Sequence, residues 1–256
     1  MSRYPDPICF DLCPGEILEE IATAPSLGIG IRTRALRYSR EVEPASLFIA
    51  DSERVSLPAT GLSVDPKKVC GIHARRGRIE FDFNPAHHRL DLSPGPELLD
   101  HLVRCHTVGA ISDATLISAR RAARPTLNPC PCCRKAAAER RANPESLPLF
   151  QILENTPRFH LKIQTPSFDI SHHLSLRSMS THRGFINLLA SDGTAVRIDA
   201  GFIHCLLIQR LRIGGEIRPT VKAFDMLGDE IISISTGRCE DLLRWQRICT
   251  PNGSEE

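Results

Sequence analysis

Three cysteines, Cys130, Cys132 and Cys133, fall within the run Asn128-Pro129-Cys130-Pro131-Cys132-Cys133-Arg134. Thiolates are soft donors, so this spacing suits a thiophilic ion such as Zn²⁺ or Cu⁺. A helix start and the neighbouring Arg134 and Lys135 lower thiol pKa values, which is also the setting of a redox-sensitive spot. The triplet lacks the paired Cys-x-x-Cys spacing of a common structural zinc site, so a fourth ligand has to come from elsewhere, with Cys105 and His106 as candidates. The plain alternative is three ordinary loop thiols.

Imidazole is the other donor on offer. His172, His173, His182 and His204 lie in the C-terminal part, with Arg210 and Arg238 as cations nearby in sequence. A histidine beside a strand is usually a surface or core residue, so its type alone assigns no role. Arg120, Arg121, Arg124, Arg134, Lys135, Arg140 and Arg141 make the middle basic. No aromatic platform is interleaved, so these read as a solvated helical face and nucleic acid is not expected; an acidic protein partner is. There is no Gly-x-x-x-x-Gly-Lys-Ser/Thr loop, no Gly-x-Ser-x-Gly elbow and no His-Glu-x-x-His, and Gly28 to Gly30 is too short to cradle phosphates. Asp225 and Glu230 read as turn residues.

These residues need a scaffold. The chain has 256 residues, 41% hydrophobic and 24% charged, which places it among ordinary globular proteins and excludes disorder. A net charge of +2 implies no strong field toward nucleic acid. No apolar run reaches the roughly 20 residues that span a bilayer, and the start MSRYPDPICFDLCPGE lacks a basic head followed by an apolar run, so a cytoplasmic location is expected. Ten cysteines are then expected as reduced thiols, with Cys9, Cys13, Cys70, Cys105, Cys239 and Cys249 serving as small buried hydrophobes.

Helical spacing of Ile17, Leu18 and Ile21 predicts a helix in Pro14–Ala24. From Gly30 to Leu92, runs such as SLFIA, RVSL, KVCGIH and RIEFDF, broken by Pro and Gly, predict strands and hairpins. ELLDHLVRCH opens a helix after Ser93-Pro94-Gly95-Pro96, and Ser112-Asp113 caps another over roughly Ala114 to Arg124. The Pro-, Ala- and Arg-rich stretch 126–150 reads as a connecting segment between residues 1–125 and 151–256. In the last part, Phe159, Leu161 and Ile163 alternate with polar residues, and GFINLLA and TAVRIDA flank Asp192-Gly193. Phe202–Ile213 places Ile203, Cys205, Leu207, Leu211 and Ile213 on one face. EIRPTVKAFD and DEIISIS follow, and CEDLLRWQRI closes as a helix with Leu242, Leu243 and Trp245 inward. Consecutive hairpins predict an α+β fold of twisted antiparallel sheets with flanking helices, and the similar hairpin texture of CGIHARRGRIEFDF followed by HHRLDL leaves open two pseudo-repeated halves.

Four stretches in order, ISHHLSL, GFINLL, CLLIQRL and AFDMLGDEIISISTGR, resemble the second repeat of the HemS/ChuX-type haem-utilisation family over about Phe159 to Ile248. His172 matches the strand histidine of that repeat, Phe185-Ile186-Asn187 stands for Trp-Leu-Asn, Gln209-Arg210 for Arg-Lys, and Phe224-Asp225 with Gly228 and Gly237-Arg238 matches the last hairpin. The resemblance implies an intracellular haem-binding protein serving haem transfer, storage or degradation, with His172 and His204 as candidate haem ligands and Arg210 and Arg238 for the propionates. A homodimer is a further expectation. The axial histidine that two-repeat members carry after the corresponding first-repeat hairpin has no counterpart in residues 1–125, and Ile232 holds the equivalent place here. The rival expectation is a regulatory or scaffold protein whose thiol segment binds a metal such as zinc or senses redox state.

Overall fold

The computed structural model describes residues 6–11, 13–43, 49–50, 54–83, 88–123 and 128–250. Ser46, Leu47 and Phe48 of the expected SLFIA strand, and Arg124 of the basic run, lie outside them. The chain divides into two compact units, residues 1–127 with 165–170 and residues 128–164 with 171–256.

The first unit runs β1 (Ile8–Phe10), α1 (Pro14–Ile21), β2 (Leu27–Arg32), β3 (Leu36–Val42), β4 (Ile49–Ala50), β5 (Val55–Leu57), β6 (Leu62–Val64), β7 (Val69–Arg75), β8 (Arg78–Phe83), β9 (Arg89–Ser93), α2 (Pro96–His106), β10 (Thr107–Ala110) and α3 (Asp113–Ala122). Its main sheet is antiparallel throughout, in the order β10-β1-β7-β8-β9-β2-β3. A smaller antiparallel sheet joins β4, β5 and β6, and β6 also pairs with residues 168–170. Strand alternation sends Ile29, Ile31, Ile72, Ile79, Phe81, Phe83, Leu90 and Leu92 into the core with Ile17, Leu18 and Ile21 of α1 and Leu99, Leu102 and Val103 of α2. Ser112 caps α3 by accepting from the Thr115 N–H at 3.1 Å.

The second unit runs α4 (Pro131–Ala142), α5 (Pro148–Glu154), β11 (Arg158–Gln164), β12 (Phe168–His182), β13 (Phe185–Ala190), β14 (Ala195–Asp199), β15 (Cys205–Ile213), β16 (Glu216–Phe224), β17 (Glu230–Ser235) and α6 (Glu240–Cys249). One antiparallel sheet has the order β15-β16-β17-β11, and β12, β13 and β14 form an antiparallel meander. In both units a helix leads into a strand, β2 or β11, that pairs with the last strand before a closing helix, β9 or β17. A meander, β7-β8-β9 or β15-β16-β17, precedes that helix in each.

Several expectations are corrected. Leu243 is 59% exposed, while Asp241, Leu242 and Trp245 are the buried residues of α6. The i, i+1, i+4 stripe through 241, 242 and 245 leaves Leu243 about 150° from the middle of the inward face. Trp245 is anchored by an Nε1–H bond to Thr156 Oγ1 at 3.2 Å. The long run before Ile213 is broken, because Ala200–Phe202 is a 3₁₀ turn and the strand starts at Cys205. On the face expected inward Ile203 is buried and Leu211 and Ile213 half-buried, but Cys205 is exposed and so is Leu207, at 46%, while Leu206 and Ile208 lie opposite the buried Ala223 and Val221. Both faces of this strand carry branched apolar residues, so periodicity could not choose between them. None of Cys9, Cys13, Cys70, Cys105, Cys239 and Cys249 is buried; they are half-buried or exposed.

Candidate functional site

The thiol segment builds on a helix start. Cys130 is the N-cap of α4, Pro131 occupies the first turn where its missing N–H costs nothing, and Cys130 Sγ accepts from the Cys133 N–H at 3.4 Å. The Sγ atoms of Cys130, Cys132 and Cys133 all lie within 4.8 Å of one another. Hydrogen bonds from the Cys132 thiol, and then from the Cys133 backbone and thiol, pull the Cys130 pKa down to about 7. Cys133, bonded to the sulfur of Cys130 and partly desolvated, is pushed up to about 11. Reading the segment as Cys-x-Cys-Cys passed over the Cys-x-x-Cys pair inside it, Cys130 and Cys133, which the helix stacks one turn apart. The two candidate fourth ligands belong to the first unit. Cys105 lies beside His101, with Sγ 3.7 Å from Nε2, and His106 Nε2 is 2.9 Å from Glu20 Oε1.

The far end of α4 is fixed in the second unit. Arg141 pairs with Asp199 at 2.8 Å and Arg140 donates to the Gly201 carbonyl at 3.2 Å. Gly184, at φ +79°, follows Arg183 at φ +50° in the two-residue turn between β12 and β13. A Cβ at Gly184 would stand 2.8 Å from Arg141 Cβ, so glycine there also permits the close approach of helix and turn.

Imidazoles gather on one face of the second unit. His160 of β11 packs edge-on against His173 of β12, with ring centroids 4.9 Å apart. His160 Nδ1 is buried and has no hydrogen-bond partner among the described residues. Burial, then the charges of His173, Arg218 and Lys162, hold the His160 pKa below its ordinary value, which favours the uncharged ring. Register continues this face across the sheet, since His160 lies opposite Ser235 and Ser235 opposite Thr220. Lys162 lies opposite Ser233, and Ser233 opposite Lys222, which pairs with Glu230 at 2.7 Å.

The four residues singled out by resemblance are spread more widely. His172 is half-buried and, one residue from His173, points to the other face of β12. His204 is exposed, its N–H donating to the Phe224 carbonyl at 2.8 Å. Arg210 is exposed opposite Pro219, about 20 Å along the strand from His204. Arg238 is exposed and helps line a cavity of about 190 Å³ with Thr156, Arg158, Thr236 and Asp241. That volume is below the ~300 Å³ at which organic-ligand pockets begin. Ile232 is fully buried. In sequence His160 is only the polar step of an alternating strand, and its neighbour His173 is brought to it by the fold.

The first unit holds a second polar cluster, on the sheet face opposite its core. Glu80, Asp82 and Asp91 are buried there. Arg120 reaches them from α3, at 2.6 Å from Glu80 and 2.7 Å from Asp82, and Arg89 stands 2.8 Å from Asp91. His73 lies 3.3 Å from Asp82, and Arg75 pairs with Asp113 at 2.6 Å. Burial raises Asp82, but hydrogen bonds from His73 and Arg120 outweigh it and leave the carboxyl below its ordinary value. Asp91 moves the other way, raised first by burial, with the attraction of Arg89 insufficient to offset it. Arg120 is therefore no member of a solvated face, as the basic run suggested. Gly30 sits across from this layer, where a Cβ would come within 3.2 Å of Asp91 Cβ.

No protein-family model matches the chain, and no curated protein matches it. Solved structures do. ChuS of Escherichia coli O157:H7, described as a heme degrading enzyme, superposes with a TM-score of 0.71 over 96% of this chain and 87% of its own, at 9% identity. The chain has the ChuS fold. A second ChuS structure, described as an E. coli heme oxygenase, gives a TM-score of 0.66 over 96% of this chain and 89% of its own, at 9% identity. Apo-PhuS, a heme-binding protein from Pseudomonas aeruginosa, gives 0.66 over 95% of this chain and 86% of its own, at 10% identity. The ChuS-like architecture is thus α+β and covers nearly the whole chain, including the first half that no motif matched. Among the described residues no helix is long and apolar enough to cross a membrane.

Proposed function

We propose that the protein binds haem and serves haem transfer, storage or degradation in the cytoplasm. The observation that carries this reading is the ChuS fold extending over 96% of the chain. Since a fold hosts many functions, the site must agree. It offers an imidazole with an unpartnered buried nitrogen, His160, a second imidazole against it, His173, and the cations Arg218 and Lys162 close by. Imidazole suits haem iron and guanidinium suits propionates. His172, His204, Arg210 and Arg238 are the further candidates, and the two units are read as diverged copies of one another. When bound, the haem would supply the iron chemistry; the chain would supply imidazole ligands and cations.

The test is a hemin titration of the full chain alongside single His160→Ala, His172→Ala, His173→Ala and His204→Ala variants. A saturable Soret band is expected in the wild type, with its position shifted or its intensity reduced in the variant that lacks the ligand. Four variants with unaltered spectra would reject histidine ligation by these residues. The rival reading, a regulatory or scaffold protein whose Cys130, Cys132 and Cys133 hold a thiophilic metal such as zinc, rests on the closeness of the three sulfurs. Metal analysis of anaerobically purified protein against a Cys130/Cys132/Cys133 triple-serine variant separates the two.

A further inference from the structure

The thiol segment has a polarity that metal binding does not use. Cys130 is exposed and caps the helix, while Cys133 is half-buried one turn further in, at a position whose own N–H points at Cys130 Sγ. We propose that Cys130 and Cys133 form a reversible dithiol–disulfide pair, with Cys130 as the attacking sulfur and Cys133 as the resolving one.

Their sulfurs are within 4.8 Å, so side-chain rotation closes the bond and α4 need not unwind. Pro131 fixes the first turn, and the segment Pro131–Arg134 has no acidic residue to repel an anionic sulfur. The opposite end of the 12-residue helix is held by Arg140 and Arg141, so the thiols project from an anchored element. A dissolved disulfide meets Cys130 before Cys133.

The oxidant is a low-molecular-weight disulfide, RS–SR. Cys130 thiolate attacks one sulfur, a Cys130–SR bond forms, and RS⁻ departs to take up the proton that Cys130 gave to solvent. Cys133 then loses its proton and attacks Cys130 Sγ, forming the intrachain bond and expelling the second RS⁻, which is protonated in turn. Two protein thiols lose two electrons, and one RSSR becomes two RSH.

Reduced full-length protein is equilibrated with mixtures of reduced and oxidised glutathione, quenched by alkylation and mapped by peptide mass. The expected product is a Cys130–Cys133 disulfide that survives Cys132→Ser. Cys133→Ser should stop at glutathione on Cys130, several-fold above that on Cys132. A Cys130–Cys132 bond, or glutathione spread evenly over the exposed thiols in Cys133→Ser, overturns the proposal. So does an equivalent of zinc or copper in the isolated protein that shields all three cysteines from alkylation. The wild-type bond map decides the case even if a variant fails to fold.

Discussion

A thiol one turn from another behaves unlike either alone. With Cys130 near 7 and Cys133 near 11, alkylation of Cys130 by iodoacetamide should rise with pH to a midpoint about 7, while Cys133 stays slow until strongly alkaline solution. Peptide-level rates at several pH values measure this, and a shared midpoint near the ordinary ~8.5 would contradict it. The buried carboxylates of the first unit make a second prediction. Asp82 has a folded pKa below its unfolded one, so its contribution to stability is complete above the ordinary carboxylate value and is lost as pH falls through that value toward the folded one. Asp82→Asn should therefore lower stability at neutral pH and flatten the acid limb of the stability curve. Arg120→Ala, which removes the nearest partner of Glu80 and of Asp82 but leaves Arg89 at 3.5 Å from the one and His73 at 3.3 Å from the other, should cost about 1–3 kcal/mol in urea unfolding. The thiols were legible in the sequence as residue types at a helix start. The role of Arg120 was not, because an arginine on a helix looks solvated until the sheet beneath it is known to carry acids.

Among the elements, the hairpins read most clearly. Asp192-Gly193 and the alternation of Phe159, Leu161 and Ile163 gave strands and a turn that the structure contains, because a half-buried strand with one polar face leaves its period in the sequence. Strand β15 was ambiguous for the opposite reason, and the exposure of Leu207 and Leu243 shows that spacing names a stripe without saying what covers it. The docking of α4 onto the β12–β13 turn depends on a contact distant in sequence. Gly184→Ala places a Cβ 2.8 Å from Arg141 Cβ at a φ of +79°, and should cost about 1–3 kcal/mol and loosen the Arg141–Asp199 pair. Gly193→Ala at φ +82° meets nothing within 4 Å and isolates the backbone component. Urea midpoints followed by the emission of Trp245, the one tryptophan, should rank Gly184→Ala below Gly193→Ala; equal midpoints would remove the close approach from the account.

For the whole molecule, the C-terminal unit announced its fold through ordered hairpin motifs, while the first unit hid the same succession of elements. Its strands β7, β8 and β9 alternate Ile72, Phe81 and Leu90 with His73, Glu80, Asp82 and Asp91, so the face away from the core is ionic where the C-terminal unit has histidine, lysine and serine. The two units differ in these motifs and agree in pairing order, β7-β8-β9-β2 in the first and β15-β16-β17-β11 in the second. Sequence resemblance gave the C-terminal fold but divided its candidate ligands between two faces, and the His160–His173 contact appears only once β11 and β12 are in place. The central claim is haem binding by the intact chain. Stepwise addition of hemin to the full-length protein, followed at the Soret maximum against buffer, should give a saturating curve with its break at a near-stoichiometric ratio. A featureless rise indistinguishable from hemin in buffer would contradict the account.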